Sequence, residues 1–326
     1  MLNLTLIKYL RAPDTSLILV TAIILGGLIG HFMPVAGAWI SNYVDFTLLT
    51  LVGLLFFGVR FGILSKIGKS FRFFLIALMA NFIIVPVLGY GIASLFLSAY
   101  PLFLVGLIIY FMAPCTDWFL SFTKLSKGNV ALGAVLIPVN MIIQLLLYPF
   151  YLQWFTHNSV NVDAAVVGTA LLEWFLLPLL IALIMHYLLQ ILLKPRQFEA
   201  VLEKADNTTL WITALLVLQI FAGNIALTID HFEVLALVLI AVCCFFMLTF
   251  LLGEFLSYFF KIDYPEHALL TMTIASRNAP LMLAVTMAVF PDQPIIYAAL
   301  VIGMLVEIPH LTILQRLLLS RGSDFK

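Results

Sequence analysis

Ala113-Pro114-Cys115-Thr116-Asp117 and Ala275-Ser276-Arg277-Asn278-Ala279-Pro280 decide how this chain folds. Each is a short, polar, proline-containing stretch inside an apolar run, the first within 101–123 and the second within 267–290. Proline has no backbone N–H to donate and its ring collides with the preceding turn, so both stretches are expected to interrupt a helix. Polar residues gather at the interruptions: Thr116, Asp117, Ser121 and Thr123 follow the first, and Thr271, Thr273, Ser276, Arg277 and Asn278 surround the second. Hydrocarbon cannot hydrogen-bond freed backbone. A break at membrane depth is therefore tolerated only where protein or a water-filled cavity satisfies it.

Further apolar runs lie near 15–33, 43–64, 71–98, 129–155, 162–190, 209–228, 232–258 and 293–319. Crossing a bilayer takes about 20 apolar residues. With the two interrupted runs, this predicts an all-α integral membrane protein of ten transmembrane helices. The chain is 64% hydrophobic and 10% charged, too apolar to be covered by water on all sides. Fifteen of its sixteen Lys and Arg residues lie at the termini or around every second connection, and only Arg277 falls inside a span. Basic flanks stay in the cytoplasm. The expected product is a multi-pass protein of the cytoplasmic membrane with both termini cytoplasmic.

The breaks fall in the fourth and ninth runs, the fourth of each successive five. Five is odd, so the second half enters the membrane inverted relative to the first. The expectation is an inverted 5+5 repeat within a single transporter domain, 1–326, with repeat 1 at about 1–158 and repeat 2 at about 159–326. Paired interruptions at corresponding positions point to a binding site at the bilayer midplane. The longest polar connection, Lys194 to Thr209, is expected to be a surface loop or a short amphipathic helix. It leaves no room for a soluble catalytic domain. No Walker motif is present, so transport would draw on an ion gradient. A net charge of zero argues against nucleic acid as a partner. Gly26/Gly30 and Gly58/Gly62 have the four-residue spacing of close helix packing.

An ionisable side chain inside a span costs about 3 kcal/mol or more and is functional by default. Asp117 and Arg277 become partners if the two breaks cross, either as a fixed lock or as a working site. Asn140 and Gln144 are one turn apart and share a face, placed to line a cavity beside the first break. Glu307 and His310 share a face of the last span around Pro309. Asn81, Glu173, Gln219 and Asn224 are either interhelical hydrogen bonders or transport residues. The candidate substrate- or ion-binding set is thus Cys115, Thr116, Asp117, Ser276, Arg277, Asn278, Asn140, Gln144 and Glu307, with Pro114 and Pro280 as helix breakers. Cys243 and Cys244 read as small apolar side chains on a buried helix. The histidines are scattered and only His310 shares a face with a carboxylate, so no catalytic cluster forms and an enzyme is not expected. No cofactor is expected beyond a coupling ion, H+ or Na+. The partners are a small molecule or ion and the lipid bilayer.

At these motifs the chain resembles the bile acid:sodium symporter superfamily, nearest its arsenite-efflux permease branch. Ala113-Pro114-Cys115-Thr116 with Lys127-Gly128 is similar to that family's fourth helix. Ala275-Ser276 with Asn278 is similar to its ninth, and Gly303-Met304-Leu305-Val306-Glu307-Ile308-Pro309 to its tenth. The resemblance implies a core domain in which the broken fourth and ninth helices cross, a panel domain, and a substrate cavity between the two. It also implies a metalloid-binding role for Cys115, whose thiolate is a soft ligand suited to trivalent arsenic or antimony. Where the family carries an acidic residue in the ninth-helix motif, this chain has Pro280. Arg277 instead supplies a permanent cation able to stand in for a sodium ion and to attract an anion, and a proton-coupled mechanism through Asp117 is the natural substitute.

The leading expectation is a secondary transporter moving a small anion or a metalloid (arsenite- or antimonite-like) by alternating access. The alternatives are a sodium-coupled organic-anion symporter, a sodium/proton antiporter and, from another class, an intramembrane enzyme.

Overall fold

The computed structural model describes residues 15–59, 70–116, 118–156, 168–169 and 172–321. Asp117 lies outside the described residues, as do Gly62 and the connections at 60–69 and 157–167. The described chain is helical. In order it forms α1 (Thr15–Phe32), α2 (Pro34–Ser41), α3 (Val44–Phe57), α4 (Phe71–Met79), a π-helical turn (Ala80–Ile84) and α5 (Val85–Leu97). Next come α6 (Pro101–Met112), α7 (Trp118–Leu125) and α8 (Val130–Thr156). After a second π-turn (Leu172–Leu176) follow α9 (Leu177–Leu192), α10 (Pro195–Asp230), α11 (Phe232–Phe260), α12 (Tyr264–Ala275), α13 (Ala279–Val289) and α14 (Pro294–Arg321).

Among the described residues, five helices are long and apolar enough to cross a membrane: Phe71–Leu97, Val130–Phe155, Pro195–Ala226, Phe232–Phe260 and Pro294–Ser320. A sixth span arises if α2 and α3, bent by 43°, count as one. Large apolar side chains such as Leu17, Leu95, Trp154, Ile191 and Phe255 point outward, which suits lipid and not water. Cys243 is also exposed, so this residue faces outward on α11 and does not sit in a buried helix as expected. Cys244 is half-buried.

The polar connection between Lys194 and Thr209, expected as a surface loop or a short amphipathic helix, is helical and forms the first four turns of α10. Pro195 occupies its first turn, where a missing N–H costs nothing, and the Lys194 N–H donates to the Gln197 side chain at 3.2 Å. The sequence that follows, rich in Glu, Ala, Leu and Lys, favours helix. α10 then runs to Asp230, kinked at Asn224 where the backbone leaves helical geometry. It packs along α1 and α2, and small residues permit the approach: a Cβ at Gly26 or Gly30 would collide with the carbonyl oxygens of Leu218 and Ala222. In lipid the gain comes from van der Waals contact and not from dehydration, so backbone proximity matters. Pro138 and Pro149 sit inside α8 without ending it.

Candidate functional site

Proline alone does not account for the breaks, since α8 runs through two. At 113–116 and 276–278 the chain leaves helical geometry, with Ala113 and Ser276 both extended. The freed backbone groups of one break are satisfied by the other. Pro114 and Arg277 form an antiparallel bridge. The Cys115 N–H donates to the Ser276 carbonyl at 3.1 Å, and the Asn278 N–H donates to the Ala113 carbonyl at 2.9 Å. Side chains add to this: Asn278 Nδ2 donates to Thr116 Oγ1 at 3.0 Å, and Ser276 Oγ to the Met272 carbonyl at 2.8 Å. Two interrupted helices, α6/α7 and α12/α13, therefore meet at their breaks as a two-stranded patch of backbone.

Arg277 is fully buried there. Its Nη1 donates to the Phe111 carbonyl at 2.9 Å, and its Nη2 to the Thr273 carbonyl at 3.2 Å and to the Ile274 carbonyl. The Phe245 ring lies 5.7 Å from the guanidinium carbon, within cation–π range. Burying a charge costs several kcal/mol unless hydrogen bonds and counter-charge offset it. The carbonyls lie at helix C-termini, where the helix dipole is negative, and Glu307 brings a carboxylate. Glu307 Oε1 accepts the Arg277 backbone N–H at 2.9 Å, and Oε2 accepts the Tyr110 hydroxyl at 3.3 Å. Tyr110 also donates to the Gly303 carbonyl at 2.9 Å. Its ring lies so close that a Cβ at residue 303 would come within 2.5 Å of a ring carbon. The expected Arg277–Asp117 pair falls outside the described residues. The partners found for Arg277 are carbonyls, with Glu307 held through its backbone.

The crossing thus gathers Pro114, Cys115, Thr116, Ser276, Arg277, Asn278, Pro280 and Glu307. Asn140 reaches its edge: Asn140 Nδ2 is 3.5 Å and Asn81 Nδ2 is 3.1 Å from Thr273 Oγ1. Asn81 sits in the first π-turn, a local distortion frequent at functional sites. Gln144 is buried one turn beyond Asn140, with neither amide atom hydrogen-bonded. Asn140 and Gln144 do not line the cavity beside the break. That cavity, of about 330 Å³, lies between α3, α7, α8 and α10, with Thr116, Ser121, Asp206 and Thr209 as its polar wall. Pro138 leaves the carbonyl of Ala134 without its helical donor, and Ala134 is another wall residue. Cys115, next to Thr116 in sequence, is buried. Asp206 and Thr209 were not singled out in the sequence; they lie on the polar start of α10, and the helical propensity of 195–208 is the signal that points to them. Tyr110, deep in an apolar run, carried no signal.

Residues 47–249 match the model of the Sodium Bile acid symporter family. The matched segment contains the first break and ends before the second. The chain is 29% identical over 171 residues to the probable sodium/metabolite cotransporter BASS2 of Oryza sativa, covering 50% of this chain and 39% of the rice protein. It is 25% identical over 265 residues to the arsenical-resistance protein Acr3 of Corynebacterium glutamicum, covering 78% of this chain and 71% of that relative. It is 21% identical over 275 residues to the sodium-dependent transporter YocS of Bacillus subtilis, covering 82% and 81%. The chain spans less than half the length of the rice relative and most of the two bacterial ones.

Proposed function

The chain belongs to the Sodium Bile acid symporter family, and we propose that it is a secondary transporter moving a small anion or metalloid across the cytoplasmic membrane by alternating access. One observation carries this reading: the breaks of α6/α7 and α12/α13 satisfy each other's backbone, and Thr116, two residues past the bridged Pro114, opens into a polar-walled cavity. Discontinuous helices crossing beside a cavity are the means by which transporters place polar groups at mid-membrane.

The architecture we infer is ten spans in an inverted 5+5 repeat, residues 1–158 and 159–326. The two interrupted spans belong to a core that moves against a panel containing α1, α3 and α10. Asp206 and Thr209 follow Lys204 on α10, so the cavity reaches toward the basic, cytoplasmic side, an inward-facing arrangement. Thr116, Asn278 and Ser276 hold the crossing at the cavity's inner end, and Asp117 belongs to the same site. Cys115, one residue from the wall, is the proposed thiolate ligand if the solute is trivalent arsenic or antimony, as the printed name of the Corynebacterium relative suggests. The volume of about 330 Å³ favours a compact solute. The driving ion is H+ or Na+, sodium being the ion named in the family and in the rice and Bacillus relatives.

The test is uptake into everted membrane vesicles across arsenite, antimonite and small organic anions, with sodium and pH gradients imposed separately. Saturable, gradient-driven accumulation of one of these is expected. For arsenite, Cys115→Ser should abolish it while leaving the protein folded. Transport of none of them under either gradient would overturn the reading.

A further inference from the structure

Three carbonyls at the crossing have lost the N–H groups that a continuous helix would give them. In an α-helix the carbonyls of Phe111, Thr273 and Ile274 would accept from the N–H groups of Cys115, Arg277 and Asn278. Here the Cys115 N–H goes to the Ser276 carbonyl, the Asn278 N–H to the Ala113 carbonyl and the Arg277 N–H to Glu307. The three stranded oxygens come from the C-terminal ends of α6 and α12, and each of these two helix ends as a whole carries roughly half a negative charge from its dipole. They face one group: the Phe111 carbonyl accepts from Nη1 of the Arg277 guanidinium, and the Thr273 and Ile274 carbonyls accept from its Nη2. Glu307 adds a carboxylate beside them, and the Phe245 ring face closes the far side at 5.7 Å. Converging main-chain carbonyls at unwound helix ends are the donor set with which membrane proteins hold a dehydrated monovalent cation. Here the occupant is a side chain that cannot dissociate.

We propose that the carbonyls of Phe111, Thr273 and Ile274 form a monovalent-cation site permanently filled by the Arg277 guanidinium, so that the protein binds no exchangeable sodium at the crossing. This deepens the transport reading and rests on it for its consequence: the crossing stays charged and closed-packed throughout the cycle, and the coupling ion must act elsewhere. It also replaces the expectation that Arg277 attracts an anionic solute, since both terminal nitrogens are already engaged and the residue is fully buried.

The experiment is thermal unfolding of the purified full-length protein in detergent, titrated with guanidinium, methylguanidinium or sodium chloride against choline chloride at constant ionic strength. The wild-type midpoint is expected to be the same in low-millimolar guanidinium and in choline. Arg277→Gly vacates the site, so its midpoint should fall, then recover by several degrees in a saturable manner with guanidinium or methylguanidinium and not with choline, as mass action requires for a ligand that binds only the folded state. Absence of a guanidinium-selective rise in Arg277→Gly, or an equal rise in the wild type, overturns the proposal. Should Arg277→Gly not fold, Arg277→Lys and Arg277→Met decide the matter. The lysine variant is expected to be the more stable because the site demands charge, and a methionine variant of equal or greater stability refutes it. These measurements read occupancy and not flux. Their failure leaves transport standing, and vesicles that move no solute would refute transport while leaving a guanidinium response in place.

Discussion

Glu307 and Gly303 set the terms on which Arg277 can be buried. Glu307 offers one oxygen to the Arg277 backbone and the other to Tyr110. Glu307→Gln keeps an acceptor and loses the counter-charge, whereas Glu307→Ala also leaves a buried N–H unpaired. An unpaired buried donor costs about 1–3 kcal/mol. Thermal unfolding of the two purified variants is expected to rank alanine below glutamine, with both below the wild type. Gly303→Ala puts a methyl within 2.5 Å of the Tyr110 ring and forces the ring off its two acceptors, a change of about 1–3 kcal/mol by the usual cost of overpacking. Tyr110→Phe loses the hydroxyl but keeps the packing, so its loss of midpoint should be the smaller one. Arg277 stood out in the sequence by its type and depth alone, and the structure places it, fully buried, at the crossing. The partners that the described residues show for its guanidinium are main-chain carbonyls, which have no letter in the sequence.

Among the helices, the interruptions and the close α1–α10 contact were readable, and the distortions were not. Proline flanked by polar residues marked α6/α7 and α12/α13, and the Gly26/Gly30 spacing marked a tight packing face. The π-turn at Ala80–Ile84 has no such mark, and at the kink the only local sign is Asn224 itself, whose Nδ2 donates to the Ile220 carbonyl at 2.9 Å. Pro138 and Pro149 show the reverse: a strong local breaker is overridden when the surrounding helix is long and packed. The polar segment 195–208 takes the helical one of its two expected forms, but it continues into α10 and is not a short separate helix; its propensity and its start at Pro195 support the helix that is found. Gly26→Leu directs a side chain at a backbone carbonyl that cannot move aside. It is expected to separate α1 from α10 and lower the unfolding midpoint substantially, by the equivalent of about 3 kcal/mol. Gly53→Ala on α3, with open space around it, should change the midpoint little and serves as the control.

Over the whole molecule, the basic-residue pattern, the apolar exterior and the family agree on a membrane transporter, while the inverted pairing of the halves is a proposal argued from the order of apolar runs in the sequence. The cavity walls come from α3, α7, α8 and α10. Ser121→Trp or Thr209→Trp would fill much of about 330 Å³. Either is expected to cut vesicle transport about tenfold or more, a barrier change of roughly 1.4 kcal/mol, with an unfolding midpoint near that of the wild type. The central claim is that the two breaks lie against one another as an antiparallel pair inside the protein. Ser276→Cys, made in a chain whose Cys243 and Cys244 are serine, places a thiol opposite the native Cys115. Opposed residues of an antiparallel pair are about 5.5 Å apart at Cα, within the range a disulfide spans. Mild oxidation in native membranes followed by denaturing alkylation and mass spectrometry should find the 115–276 disulfide formed in most molecules; two freely alkylated thiols would contradict the account.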